Sequence, residues 1–196
     1  MELIDRFPGK FRLVKEDESL PKFFLPDELK SIFSVVENPK MLATFKVLAD
    51  TGLRPGELAN CTLEGTHLHL RQTKNRRDRL VRISPDLIPD ILLALDRPYK
   101  SGSVSQSFLR AIRKAGLPKN GRSLYCLRHT FAVREYARTR DIYYVKRLLG
   151  HSTVTTTEKY AAYPEEYLRQ VFGNQDPVVQ AIQAATSSDP GTKFEV

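Results

Sequence analysis

Apolar residues recur along this chain mostly at helical spacing, and only briefly at the two-residue spacing of a strand. Pro26 and Asp27 open PDELKSIFSVV, where Leu29, Ile32, Phe33 and Val36 share one helix face. A second helix over about 39–50 carries Leu42, Phe45 and Leu48, and Gly52 supplies a left-handed stop. Pro55 starts a short helix in RPGELANC. Residues 67–73 (HLHLRQT) and 79–84 (RLVRIS) alternate as strands, and the polar KNRRD between them makes a hairpin. Helical spacing then resumes, from Pro85 to about Leu95 and again through SVSQSFLRAIRKAGL, which Gly116 and Pro118 stop. Ser123 is a candidate N-cap for a helix reaching about Thr139. Shorter helices follow in DIYYVKRLLG, from Ser152 or Thr153 to Tyr160, and in YPEEYLRQVF from Pro164. The predicted fold class is mainly α with a small antiparallel β-sheet (α+β). Residues 1–20 read as a leader, 21–173 as the folded domain and 174–196 as a tail, in which PVVQAIQAA can form one short amphipathic helix. No internal repeat or low-complexity segment interrupts this pattern.

Composition narrows the function classes. With 196 residues, 41% hydrophobic and 28% charged, the chain has the make-up of a globular domain large enough to bury its own core. No run approaches a membrane span, and the charged N-terminus lacks the apolar stretch of a signal peptide, so a cytoplasmic protein is expected. Cys61 and Cys126 form no CxxC or Cys/His pattern and read as small core residues in a reducing compartment. The net charge of +8 is unevenly spread: Arg71, Lys74, Arg76, Arg77, Arg79 and Arg82 crowd one short stretch against Asp78. Such a block attracts phosphate, although a solvated hairpin explains an isolated basic run equally well.

Three separated segments hold the candidate chemistry: TGLRPGEL (51–58), LYCLRHTFA (124–132) and LLGHSTVTTTEKY (148–160). Singly, each has an ordinary structural reading as a helix-end arginine, a buried ion-pair partner, a turn histidine or a core tyrosine. In this order they resemble the tyrosine recombinases of the phage integrase type. That family carries T-G-x-R-x-x-E, a lysine on a β-hairpin, H-x-x-R-H-T, L-G-H-S, and a tyrosine nine residues after that histidine. The matching residues are Arg54 with Glu57, Lys74, Arg128, His151 and Tyr160, and the match spans about residues 26–172.

The resemblance implies the DNA breaking–rejoining fold, duplex DNA as substrate, and cleavage without metal, cofactor or ATP. It also implies assembly of several protomers, a tetramer, on DNA, with accessory DNA-bending or directionality proteins as further partners. The chemistry agrees. Two arginines offer paired N–H donors to the non-bridging oxygens of a phosphate, and such donors gain strength as charge builds in the transition state. Lys74 is placed to protonate the leaving 5′ oxygen, His151 to donate to the phosphate, and Tyr160 to attack, giving a 3′-phosphotyrosine. Arg71, Arg76, Arg77 and Arg79 are expected to contact the DNA backbone.

Other residues receive structural readings. Glu57, one turn after Arg54, is expected to buttress it. His129 lies about 100° around the helix from Arg128 and reads as structural. His67 and His69 share a strand face but lack a third metal ligand. Tyr163 and Tyr167 miss the nine-residue spacing from His151. The chain departs from the family at Tyr125, where the pattern has histidine. A phenol, with a pKa of about 10, is a poor base but a competent hydrogen-bond donor, so Tyr125 is expected to tune cleavage rather than abolish it. Only about 25 residues precede the catalytic pattern, where the family usually has a helical DNA clamp, so DNA binding is expected to be weak and salt-dependent. The tail is a candidate exchange helix between protomers, and equally a frayed end. Two readings compete with a recombinase: a type IB topoisomerase-like relaxing enzyme and a DNA-binding regulator that has lost its chemistry.

Overall fold

Helix starts in this protein are fixed by proline and by short polar caps. A computed structural model describes residues 20–71 and 78–173. Helix α1 is Pro26–Ser34 and α2 is Pro39–Thr51. Asn38 accepts the Met41 amide at 2.9 Å to cap α2, and Pro39 supplies a preset first-turn backbone. Gly52 closes α2 in the left-handed region, at φ 63°. A Cβ there would lie 2.4 Å from Cδ1 of the Phe131 ring, so glycine is required both by backbone and by space.

The chain then makes a turn and a 3₁₀ segment, Leu58–Asn60, before a three-stranded antiparallel sheet in the order β1-β2-β3. β1 is Cys61–Glu64, β2 His67–Leu70 and β3 Arg79–Arg82. The register pairs Cys61 with Leu70 and His67 with Arg82. The sequence pattern shows β2 and β3 but not β1, and the two strands end earlier than expected. A 3₁₀ turn at Pro85–Leu87 leads into α3 (Ile88–Leu95), where a single helix from Pro85 was expected. α4 is Ser101–Lys114 and α5 is Cys126–Thr139, two residues later than a cap at Ser123 implies. α6 (Ile142–Leu149) is capped by Asp141, whose carboxylate accepts the Tyr143 and Tyr144 amides. α7 is a single turn, Thr155–Glu158, and α8 is Glu165–Phe172.

Two apolar cores divide the domain. The first joins α1–α4 and the sheet through Ile32, Phe45, Leu48, Leu68, Ile91 and Phe108. The Phe45 and Phe108 rings meet edge to face at 5.0 Å, the arrangement their quadrupoles favour. The second gathers Val145, Leu149, Tyr160, Tyr163, Leu168 and Phe172 from α6, α8 and the turns between. α5 belongs to both: Cys126 and Leu127 face the first core, Phe131 and Val133 the second. The extended segment before α1 does the same with adjacent residues, Phe23 entering the second core and Phe24 the first. Its Phe24 amide donates to Thr130 Oγ1 on α5 at 2.9 Å. The site forms where α5 passes between the two cores.

Candidate active site

Arg128, on α5, is fully buried at 1% exposure and bonded at both ends of its guanidinium. Nη1 donates to the Gly52 carbonyl at 2.6 Å and Nη2 to the Leu149 carbonyl at 2.6 Å. Gly52 lies two residues before Arg54, and Leu149 two before His151. One side chain therefore ties the three motif segments to a single point. The Leu149 carbonyl suits the role, being at the C-terminus of α6 where orphan acceptors carry partial negative charge.

Glu57 is the counter-charge. Its Oε2 accepts the Arg54 backbone amide at 2.8 Å and Arg79 Nη2 at 2.9 Å, its Oε1 accepts Arg54 Nη1 at 2.7 Å, and Arg128 Nη1 stands 3.9 Å away. Burial alone would raise its pKa, but Arg79, Arg54 and Arg128 outweigh that and hold it lowered. Burial also opposes the charge on Arg54, which Glu57 overcomes, with a smaller contribution from Tyr125, so its pKa is raised. Arg128 is pulled down to about 10, first by burial and then by repulsion from Arg54 and Arg79, and stays charged at neutral pH. Three arginines around one carboxylate leave excess positive charge, which suits an anion such as a phosphodiester.

Arg79 departs from expectation. It is buried rather than presented to DNA: besides Glu57 it donates through Nη1 to the Leu149 carbonyl. The reason is strand alternation, with Arg79 and Val81 facing inward and Leu80 and Arg82 outward. The sequence does not decide this face, since Leu80 is as apolar as Val81 yet lies outward at 58% exposure. Arg71 is exposed at the end of β2. Lys74, Arg76 and Arg77 fall outside the described residues, as does the tail.

His151 follows the left-handed Gly150 (φ 66°) that ends α6. Its Nδ1 lies 2.9 Å from Thr157 Oγ1. A hydroxyl donating there leaves the ring proton on Nε2, where it can be given to a phosphate oxygen. Burial, then the charges of Arg128, Arg54, Lys159 and Arg79, push His151 down to about 4, so it is neutral at physiological pH.

Tyr160 lies in the turn after α7, 1% exposed within the second core. Burial raises its pKa, while Arg128 and Arg54 pull it back, which places the phenol within electrostatic reach of the arginines. Its hydroxyl is 2.8 Å from Nδ1 of His129. His129, read from the sequence as structural, thus reaches the candidate nucleophile. No local pattern reveals this, because the partner is 31 residues away. Tyr125 is 41% exposed at the start of α5, and its ring meets the His129 ring edge-on at 5.2 Å. Tyr163 is bonded to the Pro21 carbonyl and stacked with Tyr167, apart from the arginines. His69 pairs with Glu64 at 3.0 Å, and no group of three or more metal-ligating side chains forms among the described residues.

No protein-family model matches the chain. The tyrosine recombinase XerA of Pyrococcus horikoshii is 29% identical over 192 residues, covering 87% of this chain and 67% of XerA. A crystal structure of XerA recombinase has a TM-score of 0.67 at 24% identity, over 84% of this chain and 67% of that one. XerH site-specific recombinase bound to palindromic difH substrate, in a post-cleavage complex, gives 0.63 at 20% identity over 82% and 56%. A λ integrase tetramer bound to a Holliday junction gives 0.60 at 22% identity over 74% and 49%. The chain spans between about half and two thirds of the length of the first curated relatives it matches. Among the described residues no helix is long and apolar enough to cross a membrane. In sequence the chain is similar to tyrosine recombinases, and it has the fold of their catalytic domain.

Proposed function

We propose that this chain is a site-specific DNA recombinase that breaks and rejoins one DNA strand at a time through Tyr160. The observation that carries this reading is the convergence on Arg128: its guanidinium holds the Arg54 and His151 segments together, and its neighbour on α5 holds Tyr160. The Tyr160 oxygen attacks phosphorus, the bond from phosphorus to the 5′ oxygen breaks, and the strand is left as a 3′-phosphotyrosine with a free 5′ hydroxyl. Arg54 and Arg128 oppose the charge that grows on the non-bridging oxygens. His151 donates through Nε2. Lys74 is the proposed proton donor to the leaving oxygen. A 5′ hydroxyl from a second strand reverses the step, so the bond energy is conserved and no nucleotide cofactor is required.

XerH is seen bound to its difH substrate and λ integrase as a tetramer on a Holliday junction, and this chain is likewise proposed to bind duplex DNA, to work as an assembly of several copies, and to reside where DNA is. The buried nucleophile fits such a protein, since docking must uncover Tyr160 before it attacks. A pool of duplexes with randomised arms and a suicide nick tests the reading. Wild-type protein should yield a covalent protein–DNA band on a denaturing gel, and Tyr160→Phe should not. Exchange of strands between two duplexes separates a recombinase from a relaxing enzyme. Binding without any adduct would favour a regulator.

A further inference from the structure

We propose that His129 accepts the Tyr160 proton during cleavage, filling the base position that Tyr125 leaves without an imidazole. The inference rests on the proposed function.

Among the described residues, His129 is the hydrogen-bond partner of the Tyr160 hydroxyl, at 2.8 Å through Nδ1. A phenol O–H donates naturally to an unprotonated ring nitrogen, and that distance is within reach of direct proton transfer. The groups facing His129 favour the unprotonated ring. Lys159 lies beside Tyr160 in the turn after α7, Arg128 precedes His129 on α5, and both cations repel an imidazolium; with burial as the largest cause, they hold the ring down to about 4. The acceptor is therefore vacant at any physiological pH.

Position 125 cannot supply this group. Tyr125 carries a phenol, is 41% exposed, and meets the His129 ring in a T-shaped arrangement. His129 sits one helical turn further on, so the two positions share a face of α5. In the step, the Tyr160 O–H bond breaks and its proton passes to Nδ1 as the oxygen forms its bond to phosphorus. The imidazolium is then opposed by Lys159 and Arg128 but favoured by the phosphate charge seated on the same arginines. That opposition returns the proton readily when the 5′ hydroxyl attacks in reverse.

The test measures the rate of covalent adduct formation on the randomised nicked pool between pH 6 and 9. It compares wild type, His129→Asn and His129→Gln, each with tyrosine or a more acidic fluorotyrosine at position 160. The asparagine variant keeps an acceptor near Nδ1 but cannot take a proton, and the glutamine variant serves the same comparison if the asparagine variant is poorly folded. Cleavage by the variant should slow by about 100-fold, rise with pH more steeply than wild type, and be largely restored by fluorotyrosine. Equal rates in wild type and variant would overturn the proposal. A slow variant that fluorotyrosine fails to rescue would make the contact structural and overturn it too. Faster cleavage by the variant would show that the bond stores the tyrosine rather than activating it. No adduct from wild type would reject the proposed function itself, and this inference with it.

Discussion

The arginine end and the tyrosine end of the site are held by different forces. Arg54, Arg79 and Arg128 are cross-bonded through Glu57 and through the carbonyls of Gly52 and Leu149. Tyr160 is held by apolar packing and by one side-chain hydrogen bond to His129. Moving an arginine strands a buried charge, which costs about 3–5 kcal/mol. Breaking one neutral hydrogen bond costs about 1 kcal/mol. The comparison teaches that the arginine cluster proposed to hold phosphate is preorganised in the free protein, and that Tyr160, the proposed nucleophile, is the cheaper part to move.

Substitutions sharpen this contrast. Glu57→Gln leaves three arginines without their counter-charge. It should cost about 3 kcal/mol of stability and abolish cleavage, as read by urea unfolding and adduct formation. Arg54→Ala removes the more exposed cation. It should slow cleavage by about 100-fold while shifting the urea midpoint far less than Glu57→Gln does. Gly150→Ala forces a side chain into the left-handed region and puts its Cβ 2.6 Å from Arg79 Nη1. About 1–2 kcal/mol of stability should be lost, with slower cleavage because the His151 turn shifts. Thr157→Val keeps the shape but removes the hydroxyl on His151. It should cost about 1 kcal/mol and reduce cleavage by more than that loss explains, since the ring loses its tautomer partner. If Tyr160→Phe, which removes the bond to His129, and Glu57→Gln destabilise equally, the two ends are not held differently.

A separate effect is on pH. His129 and His151 are depressed to about 4 from the ordinary imidazole value of about 6.5, so the unfolded chain binds more protons than the folded one between those values. Stability should be full above about pH 6.5 and decline as pH falls towards 4. His129→Asn should show a shallower decline, measured by urea midpoints across that window.

Much of the frame was legible in the sequence. Pro26, Pro39, Gly52 and Gly150 mark helix ends because proline and left-handed glycine act locally. β1 was not legible, since CTLE is a strand only by virtue of its pairing with β2. Arg79 was not legible: the basic run suggested solvent and DNA, and with Leu80 and Val81 both apolar the alternation left its face open. His129 shows the other limit. Helix geometry says that it points away from Arg128, and only the packing of α5 against the turn after α7 says what it points towards. Glu57 lies one turn from Arg54 in sequence, but its hold on Arg79 is long-range.

The most direct test of the account is to map the covalent link itself. Adduct formed on the nicked pool is digested with protease, and the DNA-linked peptide is sequenced by mass spectrometry. The account predicts a single phosphotyrosine, at Tyr160, joined to the 3′ phosphate. A link through Tyr125, Tyr163 or Tyr167, or to a 5′ phosphate, would contradict it.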